Sequence, residues 1–351
     1  MKHLIVCCDG TWQSLAQDMP TNVALLAMHL APTAADGRAQ IVYYDSGVGA
    51  GVEAAGAGLL GGFADRMTRL LGGAAGHGVE AKIFAAYRFL ATNYAPGDAL
   101  FVFGFSRGAF IARSLCGMMY ASGLLSRSRL ARIGEAYALY RSDVKPDDPA
   151  ARAFRRENGA RPKVSFLGCF DTVAMNGAPN LVDALALDRL LNRGRGFHDV
   201  TVNRLIARAR HACALDEERK LFPLTPMAPP RRARTDQVVE MWFPGHHGGV
   251  GGGEGEARPF SDAALLWMAE EAEAAGLRFD PWLKRIAAPD PLAPMARPDA
   301  LRRAGTAPRM LYARPEEARL HDSVAARYHA RPDWRPPSLA PLRAMLEAER
   351  A

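Results

Sequence analysis

The sequence predicts an α/β fold, with a mostly parallel sheet carrying helices on both faces. Three observations predict it: short apolar runs of β type recur along the chain, stretches of helical pattern separate them, and the runs lack the polar alternation of half-exposed strands. The first run, His3–Cys8, ends at Asp9-Gly10-Thr11-Trp12, a turn sequence. Residues 40–44 form the second run, and Ala99–Phe105, Val164–Phe170 and Val238–Phe243 form the third to fifth. Residues 79–93 place Ile83, Phe84, Tyr87, Phe89 and Leu90 near one helical face, and residues 107–120 continue as a helix rich in Ala, Ile, Leu and Met. Both helices are expected to pack on the sheet.

Between the second and third runs lies a Gly/Ala-rich stretch, read as a lid or insertion over residues 46–78. Within it, Leu59, Leu60, Phe63, Met67, Leu70 and Leu71 recur at near-helical spacing, with Asp65, Arg66 and Arg69 elsewhere on the turn. That pattern suits an amphipathic lid or interfacial helix, and equally a helix packed on the sheet. After residue 281 the chain is rich in Pro and Arg and reads as a surface-wrapping region to residue 351, with one helix over 321–328. The whole of 1–351 reads as one domain.

Composition sets the exclusions. With 49% hydrophobic and 23% charged residues in 351, disorder and collagen-like repeats are excluded. Cys7, Cys8, Cys116, Cys169 and Cys213 are odd in number, contain no CxxC and mostly sit in apolar runs, which reads as reduced, structural thiols. The N-terminal apolar run is too short for a signal peptide, and residues 47–63 are broken by Glu53, so no spanning helix is predicted. The expected location is cytoplasmic, or exported without a cleaved signal. A net charge of +7 would admit nucleic acid, but it comes from 38 Arg and 6 Lys spread along the chain without aromatic interleaving, so no nucleic acid is expected.

The sharpest chemical signal is Gly104-Phe105-Ser106-Arg107-Gly108. It fits GxSxG, where a serine sits on a tight strand-to-helix turn and Gly104 and Gly108 permit close backbone approach. The competing reading is a serine that merely caps a helix. A serine nucleophile needs a histidine to take its proton and a carboxylate to orient that histidine, and in this fold class they follow the serine in the order acid, histidine. Asp171 directly follows the apolar run VSFLGCF, at the strand edge where such sheets place their sites. Its alternative is an ordinary turn or N-cap. His247 follows VVEMWF through Pro244-Gly245-His246, and spacing alone does not choose between His246 and His247. For the oxyanion, Arg107 N–H at the helix start and the Gly10–Thr11 loop are candidates; Asp9, at the start of that loop, is a further candidate site residue without an oxyanion role. Asp216, in LDEER, reads as part of a helical salt-bridge cluster near the surface. No P-loop, HExxH or paired CxxC occurs, so neither metal nor cofactor is called for.

Taken in order, CCDGTW at 7–12, YYDSGVG at 43–49, GFSRGA at 104–109, FDTV at 170–173, ARHACALDEER at 209–219 and WFPGHHGGVGGG at 242–253 resemble one family. It is the bacterial α/β-hydrolases known as domain of unknown function 2235, which include phospholipase effectors of type VI secretion. The resemblance implies Ser106 as nucleophile, Asp171 as acid and His247, in preference to His246, as base. It departs from the family where HSDVGGGY is usual and this chain reads HGGVGGGE from His247 to Glu254. The implied function is a serine hydrolase of carboxylic esters, most plausibly lipid or phospholipid acyl esters, with peripheral membrane contact. The alternatives are a small soluble ester or thioester hydrolase, or a weakened hydrolase fold used as a binding partner.

Overall fold

The computed structural model describes residues 1–11, 13–49, 75–173, 201–219, 222–295, 309 and 318–348. The lid-like helix read at 52–73 lies outside them. The architecture is α/β, as predicted: β1 (His3–Cys8), β2 (Gln40–Asp45), β3 (Ala99–Phe105), β6 (Val164–Phe170), β7 (Ala209–Ala214), β8 (Val238–Phe243) and β9 (Arg319–Leu320) form a seven-stranded sheet in the order β2-β1-β3-β6-β7-β8-β9. Each neighbouring pair is parallel. A separate two-stranded ribbon pairs β4 (Leu124–Leu125) with β5 (Gly159–Ala160).

In β1, β3 and β6 the apolar runs became strands buried on both faces because successive side chains point to opposite sides, whereas β2, at the sheet edge, leaves Ile41 and Val42 exposed. In β1, Leu4, Val6 and Cys8 join one core while Ile5 and Cys7 join the other; in β3, Leu100 and Val102 part in the same way from Phe101, Phe103 and Phe105. The first core is covered by α2 (Ala75–Asn93) and α3 (Arg107–Ser122), the second by α1 (Asn22–Met28) and α7 (Arg258–Glu273). α4 (Ile133–Arg141) and α5 (Pro149–Asn158) lie between α3 and β6 in sequence, α6 (His247–Gly251) and α8 (Trp282–Ile286) flank α7, and α9 (Asp322–Ala330) and α10 (Arg343–Ala348) close the chain.

Strand order positions the site. β1 and β3 are adjacent, yet the chain leaves β1 outward to β2 and leaves β3 in the opposite direction to β6. The C-terminal ends of β1 and β3 therefore mark the topological switch point, the usual ligand position in open parallel sheets.

Two expectations change here. β7 was absent from the strand reading because Arg210 and His211 interrupt its apolar run; in the fold both are buried and partnered, Arg210 by Glu271 and His211 by Glu240. The region after residue 281 does more than wrap the surface. β9 pairs with β8, and Val324, Tyr328, Trp334, Leu339 and Leu342 build a third core against Cys213 and Trp242. The helix expected over 321–328 is present as α9.

Candidate active site

Ser106 ends the turn from β3 into α3 with φ 56° and ψ −120°, in the left-handed half of backbone space where a non-glycine residue is strained by about 1–3 kcal/mol. The surrounding structure imposes this turn. A Cβ on Gly104 would lie 2.5 Å from Gly108 O and 2.6 Å from Ala109 Cα, and one on Gly108 would overlap the carbonyl oxygens of Cys8 and Asp9. α3 thus packs so closely on the end of β1 that only glycine fits. Ser106 N–H donates to Phe170 O at 3.0 Å, tying the turn to β6. Its hydroxyl makes no capping bond to α3, which removes the helix-cap reading.

The hydroxyl is instead 2.8 Å from His247 Nε2, and His247 Nδ1 is 2.6 Å from Asp171 Oδ2. Asp171 leaves β6 with φ 41°. Ser106, Asp171 and His247 come from three strand ends and 141 residues of sequence, and all three are fully buried. An ionised Asp171 can only accept, so Nδ1 carries the imidazole proton and Nε2 is left to accept the serine O–H. The imidazole contacts Phe105 and Phe222, with ring centroids 4.6 and 4.9 Å away, both tilted.

Two charged groups missing from the sequence reading complete this cluster. Arg309 forks onto Asp171, with Nη1 donating to Oδ1 at 2.5 Å and Nη2 to Oδ2 at 2.9 Å, and also donates to Phe222 O at 2.7 Å. Glu217 accepts from His247 N–H at 3.1 Å and pairs with Arg219 at 2.7 Å. The LDEER segment is therefore not a surface helix. Asp216 accepts from Gly245 N–H at 2.7 Å and from Trp334 Nε1 at 2.8 Å, which anchors the loop carrying His247. The DEER run imitates helical i,i+3 pairing, but it directly follows a strand.

Electrostatics follow from burial and partners. Burial alone would raise Asp171; Arg309 and His247 outweigh it and hold the carboxyl well below the usual carboxylate range. Burial pushes His247 down from 6.5 despite the opposing pull of Asp171 and Glu217. Glu217 is lowered to about 2, burial being overcome by Arg219. Asp9 is pushed up to about 6 by burial, against hydrogen bonds from Tyr44, Thr21 and Gly10.

The remaining predicted residues divide. His246 points elsewhere: its Nδ1 accepts from Gly248 N–H at 3.2 Å, capping α6, and its Nε2 faces Glu254 at 3.7 Å. Gly10 N–H is committed to Asp9 Oδ1 at 2.7 Å, which takes it out of the oxyanion candidates. Gly10 still lies against the elbow, since a Cβ there would be 2.8 Å from Phe105 Cδ1. Thr11 is fully buried with its Oγ1 unpartnered. Arg107 opens α3, where the backbone N–H groups of a helix start can receive a developing negative charge. In the altered loop, a Cβ on Gly248 would meet the Glu254 carboxylate at 2.6 Å, so Glu254 fills the room a serine there would need.

Among the described residues, His211, Cys213 and Glu240 form a group able to approach a metal, with ligand atoms within 4.8 Å of one another. Both ring nitrogens of His211 are already engaged: Nε2 accepts from Thr172 N–H at 3.0 Å, so Nδ1 donates to Glu240 at 2.8 Å.

A parallel α/β sheet with a serine elbow and a buried Ser–His–Asp line defines the class, and sequence comparison supplies the family. Residues 2–271 match the type VI secretion system (T6SS) phospholipase effector Tle1-like catalytic domain, and the chain belongs to that family. It is 31% identical over 240 residues to the uncharacterized protein YEL023C of Saccharomyces cerevisiae, covering 64% of this chain and 33% of that protein. Among solved structures it is similar to an uncharacterized protein from Pseudomonas aeruginosa (TM-score 0.44, 20% identity, 82% of this chain and 49% of that one). Another is the Tle1 effector bound to the VgrG spike of the type VI secretion system (TM-score 0.37, 20% identity, 74% of this chain and 52% of that one). The chain thus spans about half or less of each of these proteins. Among the described residues, no helix is long and apolar enough to cross a membrane.

Proposed function

We propose that this protein is an α/β-hydrolase that cleaves carboxylic esters of lipids, specifically phospholipid acyl esters, with Ser106, His247 and Asp171 as its triad. The observation that carries the reading is the continuous hydrogen-bonded line from Ser106 Oγ through the imidazole to Asp171 within one buried cluster. Membership in a phospholipase effector family supports the lipid substrate.

Ser106 Oγ attacks the acyl carbon while His247 Nε2 takes its proton, and Asp171 stabilises the imidazolium and fixes its tautomer. Thr11 and the Arg107 N–H bind the developing oxyanion. The alcohol leaves with the proton from Nε2, and water then repeats the sequence on the acyl-serine. Phe105 and Phe222, packed against the buried imidazole, help keep water from it. We take the described C-terminal elements as part of the same domain, since β9 extends the sheet.

The test pairs fluorophosphonate labelling with turnover of p-nitrophenyl esters of increasing chain length and of phospholipid vesicles. Wild type should label and cleave, whereas Ser106→Ala should not label and should lose roughly 10³-fold or more in turnover. Labelling that persists in Ser106→Ala sinks the assignment. Strict preference for acetyl esters would favour a soluble esterase.

A further inference from the structure

The catalytic-domain match ends at residue 271, yet a side chain from well beyond it reaches the centre of the site. Resting on the triad reading above, we propose that Arg309 is a positioning residue of the reaction: its guanidinium clamps the Asp171 carboxylate, keeps it ionised and aims Oδ2 at His247. The C-terminal region then completes the active site instead of merely covering it.

The geometry is that of a fork on a carboxylate, a planar match that fixes orientation as well as charge. Both partners are buried, Arg309 at 7% exposure and Asp171 at 0%. Arg309 is itself held by Ala214 O at 3.3 Å and Phe222 O at 2.7 Å, so the clamp is braced by the end of β7 and by the residue whose ring contacts His247. Ala214 N–H adds a further bond to Oδ1 at 3.0 Å. Oδ1 thus takes Nη1 and the Ala214 N–H, while Oδ2 takes Nη2 and faces the imidazole, so the fork fixes the plane of the carboxylate.

The clamp also sets the charge that His247 experiences. The groups facing this pair are Arg309, Glu217 and Arg219, with the Cys213 thiol of β7, raised well above its ordinary value by burial, beside them. Arg309 offsets part of the Asp171 charge and Arg219 part of that of Glu217, although both carboxylates still pull the imidazole toward its charged form. Without Arg309 an uncompensated carboxylate would face Nδ1, favouring imidazolium and blocking the base at higher pH. The guanidinium thus trades some stabilisation of the imidazolium for a base that stays neutral into mildly acidic solution.

The experiment uses the full chain and compares wild type, Arg309→Met and Arg309→Lys in pH–rate profiles on a soluble p-nitrophenyl ester, with Ser106→Ala as the control for the triad reading. Arg309→Met should lower kcat by about 10-fold or more with KM little changed. Its acid limb should move up by about one pH unit or more, the size a neighbouring charge produces in a buried site. Arg309→Lys, which keeps the charge but loses the fork, should keep the wild-type limb while recovering only part of kcat. Should Arg309→Met fail to fold, the pH titration of the His247 ring-proton NMR signal in wild type, Arg309→Lys and Arg309→Gln carries the test: an upward move in the Gln variant alone supports the clamp, and coincidence of all three curves overturns it. Wild-type kcat in Arg309→Met, or a loss of kcat with the limb unmoved, also overturns the proposal. Persistent labelling in Ser106→Ala would instead fault the triad itself.

Discussion

Replacing Asp171 with Asn tests the relay at the point where the structure dictates the outcome most tightly. The carboxylate's Oδ1 accepts from both Arg309 Nη1 and Ala214 N–H, and these two donors compel the asparagine to place its carbonyl oxygen there. Its NH₂ must then take the Oδ2 position, 2.6 Å from His247 Nδ1. Facing a donor, Nδ1 becomes the acceptor and the ring proton moves to Nε2, which can no longer receive the Ser106 proton. The same NH₂ also confronts Arg309 Nη2. Loss of the correct tautomer costs on the order of 10⁴ in kcat, about 5 kcal/mol of transition-state stabilisation. The assay is kcat on a short p-nitrophenyl ester together with the rate of fluorophosphonate labelling, with circular dichroism to establish that the variant is folded. A folded Asp171→Asn enzyme within about 10-fold of wild type would refute the relay and the tautomer argument.

Three further outcomes follow from the same geometry. Because burial lowers His247 from 6.5 and the base must be neutral, kcat/KM should be flat through pH 7 and fall only below pH 6.5; a limb above that value in wild type would contradict the site's electrostatics. Gly108→Ala should destabilise the fold by about 3 kcal/mol or more, read as a lowered denaturation midpoint, because its Cβ would overlap the Cys8 and Asp9 carbonyls. Asp216→Asn should cost only about 1–2 kcal/mol of stability through the Gly245 and Trp334 bonds and leave kcat within about 10-fold; a loss as large as that of Asp171→Asn would move the acid's role to Asp216.

Much of this was legible in the sequence because a strand covered on both sides needs an uninterrupted apolar run, and Ser106, Asp171 and His247 each follow such a run. The elbow glycines were legible for the same local reason. β7 was not: ARHACA carries Arg210 and His211, whose burial depends on Glu271 and Glu240 far away in sequence. Glu217 is hidden by the helical appearance of DEER, although ARHACALDEER, with its apolar ACAL core, carries the signal of a strand running into the site. Arg309 gives no local signal, since its meaning lies wholly in a contact across 138 residues of chain.

The His211–Glu240 pair settles how the back of the site is held, and it yields a last prediction. Thr172 N–H, immediately after Asp171, donates to His211 Nε2 at 3.0 Å, and Glu240 also accepts from Met227 N–H at 2.7 Å. Asp171, with φ 41°, is therefore fixed in front by Arg309 and behind by its neighbour's bond to an imidazole of fixed tautomer. A divalent ion at His211, Cys213 and Glu240 would have to take one of those ring nitrogens from its partner and deprotonate a Cys213 thiol that burial strongly disfavours as thiolate. The hydrogen-bonded state leaves no ring nitrogen seeking a ligand, so chelator treatment should change neither Tm nor ester turnover. His211→Ala, by contrast, should strand the buried Thr172 N–H and lower stability by about 1–3 kcal/mol. A drop in Tm on EDTA treatment that one divalent ion restores would convert this relay into a structural metal site.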